Sequence, residues 1–250
     1  MAWKDTRPAI AARSGAHPAA VVTALTALAL AAAAAVMARE LGLGQAYVAK
    51  VLGAFAVVAI LVLTNVRAHH PFPRFGPANQ VTLARAALVT LLAGLAGEPA
   101  SAGVAPVAFA LAFAAAVLDA VDGPLARATG MASEFGARFD METDAALVLV
   151  LAVLAWQLDK AGPWVLASGL MRYAFVAAGA WLEWLRRPLP PSFRRKLVCA
   201  VQVTALVAAL APIVPPPVSA LAAAAALAAL CYSFASDVLW LRRRAREDHP

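Results

Sequence analysis

The sequence predicts an all-α polytopic membrane protein, with a six-helix transmembrane core that two further transmembrane helices precede. Of its 250 residues, 63% are hydrophobic and only 14% are charged, and the mean hydropathy is +0.76. A soluble domain would carry about 25% charged residues. Several apolar runs approach the roughly 20 residues that a helix needs to cross a bilayer. Because these Ala-, Leu- and Val-rich runs do not alternate with polar residues, they are not barrel strands.

Two candidate spans, at about 19–38 and 47–66, precede the core. The first ends in small residues, which also fits a cleaved signal peptide, but its apolar region is long for one, so we favour an uncleaved helix. Residues 67–78 then bring three prolines, a glycine and two histidines. We interpret them as an interfacial linker, with Phe72 and Phe75 entering the headgroup region. The predicted division is therefore an N-terminal region at 1–75 and a core at 76–250.

Six candidate core spans follow the linker, at about 79–95, 104–127, 136–158, 164–185, 197–213 and 217–241. Lys and Arg concentrate in cytoplasmic loops, so they indicate the topology. With the N-terminus inside, most of the 21 Lys and Arg residues fall on the inner side. The exceptions are Arg39, Lys50 and Lys160 outside, and Arg172 within a span. We expect both termini in the cytoplasm, in a membrane that we take to be the bacterial cytoplasmic membrane.

The net charge of +7 would fit affinity for anionic membrane lipid or anionic substrates, but we attribute most of it to this loop asymmetry. We expect no nucleic-acid partner. Cys199 and Cys231 lie in apolar runs without metal-ligand spacing. We predict that both are core residues, in neither a disulfide nor a zinc site.

Four aspartates lie at the junction between the second and third core spans. Asp119 and Asp122 are three residues apart near the end of one predicted helix, and Asp140 and Asp144 are four apart near the start of the next. Residues at these spacings share a helix face. A short turn after Gly130, a plausible helix stop, makes the two helices antiparallel neighbours. The four carboxylates can therefore converge, and each would cost about 2.5–3.5 kcal/mol at a helix centre without compensation.

An all-oxygen ligand set of this kind suits a hard cation such as Mg²⁺ or Mn²⁺. Two metals between four carboxylates would form a platform for a diphosphate. Gly123 and Ala126 would let a bulky ligand approach the backbone, or else allow close helix packing, and Gly136 fits either use. Arg127 is suited to hold a phosphate oxygen or to neutralise an aspartate.

The spacing of these residues resembles the signature of the CDP-alcohol phosphatidyltransferase family. All eight fixed positions match: Asp119-x2-Asp122-Gly123-x2-Ala126-Arg127-x8-Gly136-x3-Asp140-x3-Asp144. The resemblance covers the six-helix core and implies an integral membrane enzyme, expected as a homodimer. Such an enzyme transfers a phosphatidyl group from CDP-diacylglycerol to a small alcohol and releases CMP.

The resemblance also implies roles by position. It assigns metal binding to three aspartates, Asp119, Asp122 and Asp140. It gives Asp144 a share in metal binding together with the role of general base toward the acceptor hydroxyl. It places three residues along the CDP moiety, namely Gly123, Ala126 and Arg127.

A second pattern lies at the start of the first core span. Asn79, Thr82 and Arg85 resemble the Asn-x-x-Thr-x-x-Arg pattern often found there in the family, and would border the nucleotide. The alternative is that Asn79 caps the helix and that Arg85 only reflects the topology.

The acceptor is expected to bind near basic residues of the later spans. Arg172 lies within a predicted span, and an arginine there is usually functional. The alternative is that it pairs with Glu183. With Arg195 and Lys196 it would line a pocket for an acceptor that carries a phosphate, unless these two belong to a solvated topology loop. The predicted acceptor is glycerol 3-phosphate, then an inositol phosphate, ahead of serine or another alcohol. Gln202 either faces the site or forms an interhelical hydrogen bond.

Two other classes of function remain open from the sequence. A membrane cation transporter would explain aspartates within spans, but it would not explain Gly123, Ala126 and Arg127. A catalytically inactive scaffold would not need the intact aspartates.

Overall fold

The computed structural model describes residues 9–101 and 103–247, with side chains from residue 17 onward. This part of the chain is all-α, as predicted. Its α-helices are α1 (Ala9–Glu40), α2 (Gln45–His69), α3 (Pro77–Gly94), α4 (Val104–Ala128), α5 (Glu134–Gln157), α6 (Leu166–Trp181), α7 (Phe193–Leu210) and α8 (Pro216–Glu247). Short 3-10 helices at Pro163–Val165 and Glu183–Arg186 flank α6.

Four of these helices are long and apolar enough to cross a membrane. They are α1 from His17, α2, α4 and α8, and they make the chain an integral membrane protein. The other four are also predicted spans, but they are shorter or more polar. α6 has only 16 residues, α3 contains Arg85, and α5 and α7 begin with clusters of charged residues. The orientation of the helices in the membrane stays a prediction.

The chain forms two compact units. The first comprises residues 1–99 and 111–144, and the second comprises residues 100–110 and 145–250. The first unit therefore contains α1–α3, most of α4 and the first turns of α5, whereas the second contains the rest of α5 and everything after it. All four aspartates belong to the first unit.

In the first unit, the hairpin of α1 and α2 packs against α3. The buried Tyr47 hydroxyl donates a hydrogen bond to the Leu91 carbonyl at 3.3 Å. The Lys50 ammonium donates to the Ala96 carbonyl at 2.8 Å and pairs with Glu98 at 2.6 Å. These polar contacts lie where α2 begins and α3 ends, so they fix α2 lengthwise on α3.

A glycine makes this packing close. A Cβ atom at Gly94 would lie 2.5 Å from Val51 Cγ2 and 2.8 Å from Tyr47 Cε2. Non-bonded carbon atoms do not approach so closely, so a side chain at residue 94 would force Val51, Tyr47 or the helices to shift.

The linker between α2 and α3 packs on the protein, and Phe75, which was expected to enter the headgroup region, is buried in it, while the interfacial position of the linker stays a prediction. Phe75 is only 1% exposed, and its ring packs against those of His70 and Phe135. Phe72 is half-buried, with its ring edge-on to His70 at 5.5 Å. The linker is therefore folded against the start of α5, because aromatic residues there offer it an apolar surface.

In the second unit, buried polar groups complete the helix ends. The Lys160 ammonium donates to the carbonyls of Ala211 at 3.1 Å and Val214 at 2.6 Å, which satisfies backbone acceptors at the end of α7. The Ser219 hydroxyl donates to the Lys160 carbonyl at 2.6 Å and joins the start of α8 to the same point.

The structure pairs neither Cys199 nor Cys231 in a disulfide. Cys199 is half-buried, but Cys231 is exposed, so its prediction as a core residue is wrong. An apolar helix in a membrane presents small residues such as Cys to lipid as well as to the core, and the apolar run alone does not distinguish the two faces.

The Gly94 contact leads to a stability prediction. Gly94→Ala places a methyl group against Val51 and Tyr47, and we expect it to lower the free energy of unfolding by about 1–3 kcal/mol. The matched control is Gly53→Ala, in α2, where a Cβ has no neighbour within 4 Å. Thermal unfolding of both variants in detergent measures the difference. Equal stability of the two variants would contradict the close packing of α2 on α3.

Candidate functional site

The turn between α4 and α5 is defined by backbone and side-chain caps. Gly130 follows the end of α4 with a φ of +63°, and its N–H donates to the Arg127 carbonyl at 3.3 Å. The next N–H, of Met131, donates to the Ala126 carbonyl at 3.2 Å. This pair of bonds is the Schellman motif, which favours glycine because of the positive φ. Gly130 is thus the helix stop that the sequence predicts, and it reverses the chain within a few residues.

The central feature of the site is the guanidinium of Arg85, which contacts all four aspartates. Its Nη1 lies 2.5 Å from Asp122 Oδ2 and 2.6 Å from Asp140 Oδ1. Its Nη2 lies 2.6 Å from Asp119 Oδ1 and also contacts Asp144 Oδ1. The Arg85 side chain is completely buried. One cation on α3 therefore joins the end of α4 to the start of α5.

The four carboxylates differ in their access to solvent. Asp122 is 6% exposed, and its Oδ2 also lies 3.3 Å from the Thr82 hydroxyl. The side chains of Asp119, Asp140 and Asp144 are 42%, 39% and 25% exposed. Asp122 is thus enclosed between Thr82 and Arg85, whereas the other three carboxylates are open on one side.

These three open carboxylates form a group that fits a metal ion. Asp119, Asp140 and Asp144 each offer an oxygen, and these oxygens lie within 4.8 Å of one another. Arg85 offsets only one of the four formal negative charges, so further positive charge would stabilise the cluster. A hard divalent cation matches the all-carboxylate donor set. Asp122, the fourth predicted ligand, is not part of this group of oxygens.

Gly123 has no close neighbour across the helix. A Cβ there would meet only Arg127 Nη1, at an ordinary contact distance of 3.5 Å. Close packing of helices within the described residues is therefore not the reason for glycine at this position, and the approach of a ligand stays a prediction. Ala126 is half-buried and Arg127 is exposed, and both lie in the last turn of α4.

Gly136 and Asn79 form a close contact between α5 and α3. A Cβ at Gly136 would lie 2.8 Å from Asn79 Oδ1, so of the two uses considered for this glycine the structure supports helix packing. Asn79 does not cap α3, because Gly76 is the N-cap residue. Its amide instead donates to the Phe75 carbonyl at 2.5 Å, in the linker.

The basic residues predicted for the acceptor lie in the second unit. Arg172 is half-buried in α6, nine residues before its end, or about 14 Å along the helix axis. Lys196 is exposed in the first turn of α7. Arg195 contacts Asp237 Oδ1 at 3.2 Å and donates to the Pro190 carbonyl. Whether these residues reach the acceptor stays a prediction.

The sequence analysis did not predict that Asp237 pairs with Arg194. Asp237 is 8% exposed in α8 and accepts from Arg194 Nη2 at 2.5 Å as well as from Arg195. A single carboxylate inside an apolar run indicates a buried cationic partner, so the position of Asp237 in the sequence could have predicted such a pair.

Gln202 is almost completely buried in α7. Neither its amide nitrogen nor its amide oxygen has a hydrogen-bond partner within the described part of the chain. The interhelical hydrogen bond considered for it is therefore not seen there. A buried amide of this kind is expensive unless a ligand or water satisfies it.

Comparison with known proteins gives a family match. The family model named CDP-alcohol phosphatidyltransferase matches residues 75–234, which include all four aspartates and Arg85. No curated protein and no solved structure matches the chain.

The position of Arg85 leads to a prediction about stability and divalent cations. Arg85→Gln leaves four carboxylates without their common cation, and breaking a buried ion pair typically costs about 3–5 kcal/mol. In chelator we expect Arg85→Gln to have a much lower melting temperature than the wild type. Added Mg²⁺ or Mn²⁺ should raise the melting temperature of this variant more than that of the wild type. The control is Arg138→Gln, which removes an exposed pair with Glu134 and should change little. A melting temperature of Arg85→Gln equal to that of the wild type in chelator would contradict the central role of Arg85.

Proposed function

Since the chain belongs to the CDP-alcohol phosphatidyltransferase family, we propose that it transfers a phosphatidyl group from CDP-diacylglycerol to a small alcohol and releases CMP, in phospholipid synthesis. The observation that carries the proposal is the convergence of four aspartates from two helices around Arg85. Three of these carboxylates are open on one side, where a diphosphate and a hydroxyl can approach them. We place this site at the cytoplasmic face of a bacterial cytoplasmic membrane, from the distribution of Lys and Arg.

The metal would be held by the open carboxylates. Asp119, Asp140 and Asp144 are its proposed ligands, and Asp122 would join them in a two-metal site. Arg85 engages one oxygen of each carboxylate, so each retains a second oxygen as a ligand or as a proton acceptor. Bound Mg²⁺ or Mn²⁺ would supply positive charge for the diphosphate and for departing CMP.

The donor would lie along the last turns of α4. The absence of a side chain at Gly123 leaves room for the nucleotide beside the helix, and Ala126 adds little bulk one turn later. Arg127 is exposed beside Gly123 and can bind a phosphate oxygen. On α3, Asn79, Thr82 and Arg85 would border the same nucleotide while they hold Asp122 and the linker in place.

The reaction requires one proton acceptor. The acceptor oxygen attacks the β-phosphorus, the bond from that phosphorus to the CMP oxygen breaks, and the hydroxyl proton must leave. Asp144 is the proposed general base, because it is the least exposed of the three open carboxylates and lies in the metal group. Its contact with Arg85 holds the carboxylate in place for this step.

The acceptor is proposed to be glycerol 3-phosphate, with an inositol phosphate second and serine or another alcohol third. Arg172, Lys196 and Arg195 would bind the phosphate of the acceptor. Part of the charge of Arg195 is offset by Asp237. The buried amide of Gln202 would gain a partner in an acceptor hydroxyl. A homodimer remains the expectation from the family.

The test is an assay of the purified chain with labelled CDP-diacylglycerol, Mg²⁺ or Mn²⁺, and a panel of acceptors. The expected result is CMP release that depends on both the acceptor and the divalent cation. A folded sample that releases no CMP with any acceptor would contradict the proposal and leave the transporter or the inactive scaffold.

The role of Asp144 can be tested by one substitution. Asp144→Asn keeps the shape of the side chain but removes the proton acceptor, so we expect kcat to fall about 10²–10⁴-fold while CDP-lipid binding is largely kept. The matched control is Asp159→Asn, the same substitution at an exposed position outside the site. Asp159 has a φ of +55°, a backbone conformation that Asn also tolerates. Near-normal turnover of Asp144→Asn would remove Asp144 as the base.

The role of Arg172 can be tested through the acceptor. Arg172→Gln should raise the KM for glycerol 3-phosphate about 10–100-fold, because a charge-assisted contact contributes about 1.5–3 kcal/mol. The KM for the CDP-lipid should not change. Arg243→Gln, in the exposed basic end of α8, is the control for a general effect of lost charge. An unchanged acceptor KM in Arg172→Gln would assign Arg172 a structural role.

A further inference from the structure

His70 lies in the linker before α3 and is buried, with 4% exposure. Both of its ring nitrogens have partners. Nε2 lies 2.8 Å from the Arg74 carbonyl, and Nδ1 lies 3.1 Å from the Ser133 hydroxyl. A carbonyl oxygen only accepts, so Nε2 carries the proton of the neutral ring and Nδ1 accepts from Ser133. These partners fix the ring in both position and tautomer.

The chain of hydrogen bonds continues into α5. The Ser133 hydroxyl gives its proton to His70 and accepts the N–H of Gly136 at 3.1 Å. It therefore satisfies one of the backbone donors that every helix leaves unpaired at its N-terminus. The orientation of this hydroxyl depends on His70, because the ring nitrogen is the acceptor that directs its proton.

Aromatic packing also holds the start of α5 against the linker. The His70 ring lies 5.8 Å from that of Phe135 and 6.5 Å from that of Phe75, and the rings of Phe135 and Phe139 are stacked at 5.7 Å. The first turn of α5 is thus held by His70 through a hydrogen bond and through ring contacts. Asn79, against Gly136, is the contact from α3.

The first turn of α5 determines where two of the open carboxylates lie. Asp140 is four residues after Gly136, and Asp144 is four residues further, so all three share one face of the helix. A small rotation or slide of the first turn would move both carboxylates relative to Asp119 on α4. Metal ligands tolerate displacements of only a few tenths of an ångström.

We infer that His70 is a positioning residue of the active site, which fixes the start of α5 through Ser133 and thereby places Asp140 and Asp144. The inference rests on the proposed function for its catalytic meaning. The family match begins at residue 75, so His70 lies in the part of the chain that the match does not cover. The N-terminal region would thus contribute a residue that the site needs.

Two substitutions of His70 separate its two hydrogen bonds. The amide of Asn lies near the position of Nδ1, so His70→Asn can keep the bond to Ser133. The amide of Gln lies near Nε2, so His70→Gln can keep only the bond to the Arg74 carbonyl. Both variants lose the ring. The difference between them therefore compares the contact with Ser133 with the contact with Arg74, and the loss of aromatic packing, common to both, cancels.

A second pair of variants tests the same contact from α5. Ser133→Ala removes the hydroxyl, whereas Ser133→Thr keeps a hydroxyl at the same position. The control for the linker is His69→Gln, since His69 Nδ1 has no hydrogen-bond partner in the described residues. All variants are prepared as the full chain in detergent.

Three measurements are needed. Mn²⁺ affinity, measured by the signal of free Mn²⁺ in electron paramagnetic resonance, reports the placement of the carboxylates. Hydrogen exchange of the peptide that contains Gly136 reports the first turn of α5. CMP release gives kcat and the KM for the CDP-lipid.

We expect His70→Gln and Ser133→Ala to raise the Mn²⁺ Kd about 10-fold, which is the lower end of the effect of groups that orient metal ligands. Exchange at the start of α5 should be about five-fold faster, as for one lost hydrogen bond. kcat should fall with little change in KM. Ser133→Thr and His69→Gln should stay close to the wild type, and His70→Asn, which keeps the Ser133 contact but loses the ring, should be clearly less impaired than His70→Gln.

The inference is overturned if His70→Gln binds Mn²⁺ like the wild type, or if His70→Asn is impaired as strongly as His70→Gln. Faster exchange without a change in Mn²⁺ affinity would also overturn it, since the contact would then be only structural. A wild type that binds Mn²⁺ but releases no CMP contradicts the proposed function alone, and the Mn²⁺ and exchange measurements still decide the role of His70.

Discussion

The first unit depends on the pairing of one buried guanidinium with four carboxylates. Neither side of this interaction is stable alone, because a buried arginine without anions and four adjacent aspartates without a cation would both be strongly unfavourable. Arg85 comes from α3, and the aspartates come from α4 and α5. These three helices are therefore held together at one end by charge, and their apolar residues remain available for lipid and for other helices.

The same pairing divides the aspartates into two kinds. Asp122 is enclosed by Thr82 and Arg85, which suits an anchor between α3 and α4. Asp119, Asp140 and Asp144 each contact Arg85 but keep one open side. Because Arg85 offsets only part of their charge, this open side attracts further cations, and bound divalent metal ions would offset the negative charge that remains. The arrangement that stabilises the fold is thus also the one on which the proposed binding of metal and substrate depends.

The sequence was sufficient for the helices, because long apolar runs and stops such as Gly130 are local signals. It was also sufficient for the convergence of the aspartates, because their spacing fixes a shared face. It did not reveal that Arg85 points into the aspartates, since helical spacing gives the face of a residue but not its partner on another helix. For the same reason Phe75 was expected in the headgroup region, whereas it is covered by Phe135, some sixty residues away in the chain.

The N-terminal region is joined to the motif-bearing helices at two separate points. Near its start, α2 holds the end of α3 through Tyr47 and Lys50, with Gly94 allowing the close approach. After its end, the linker holds the start of α5 through His70. α3 carries Arg85, and α5 carries Asp140 and Asp144. One contact therefore positions the cation of these ion pairs, and the other positions two of the anions. A region outside the family match would in this way determine how well the charges of the site fit one another.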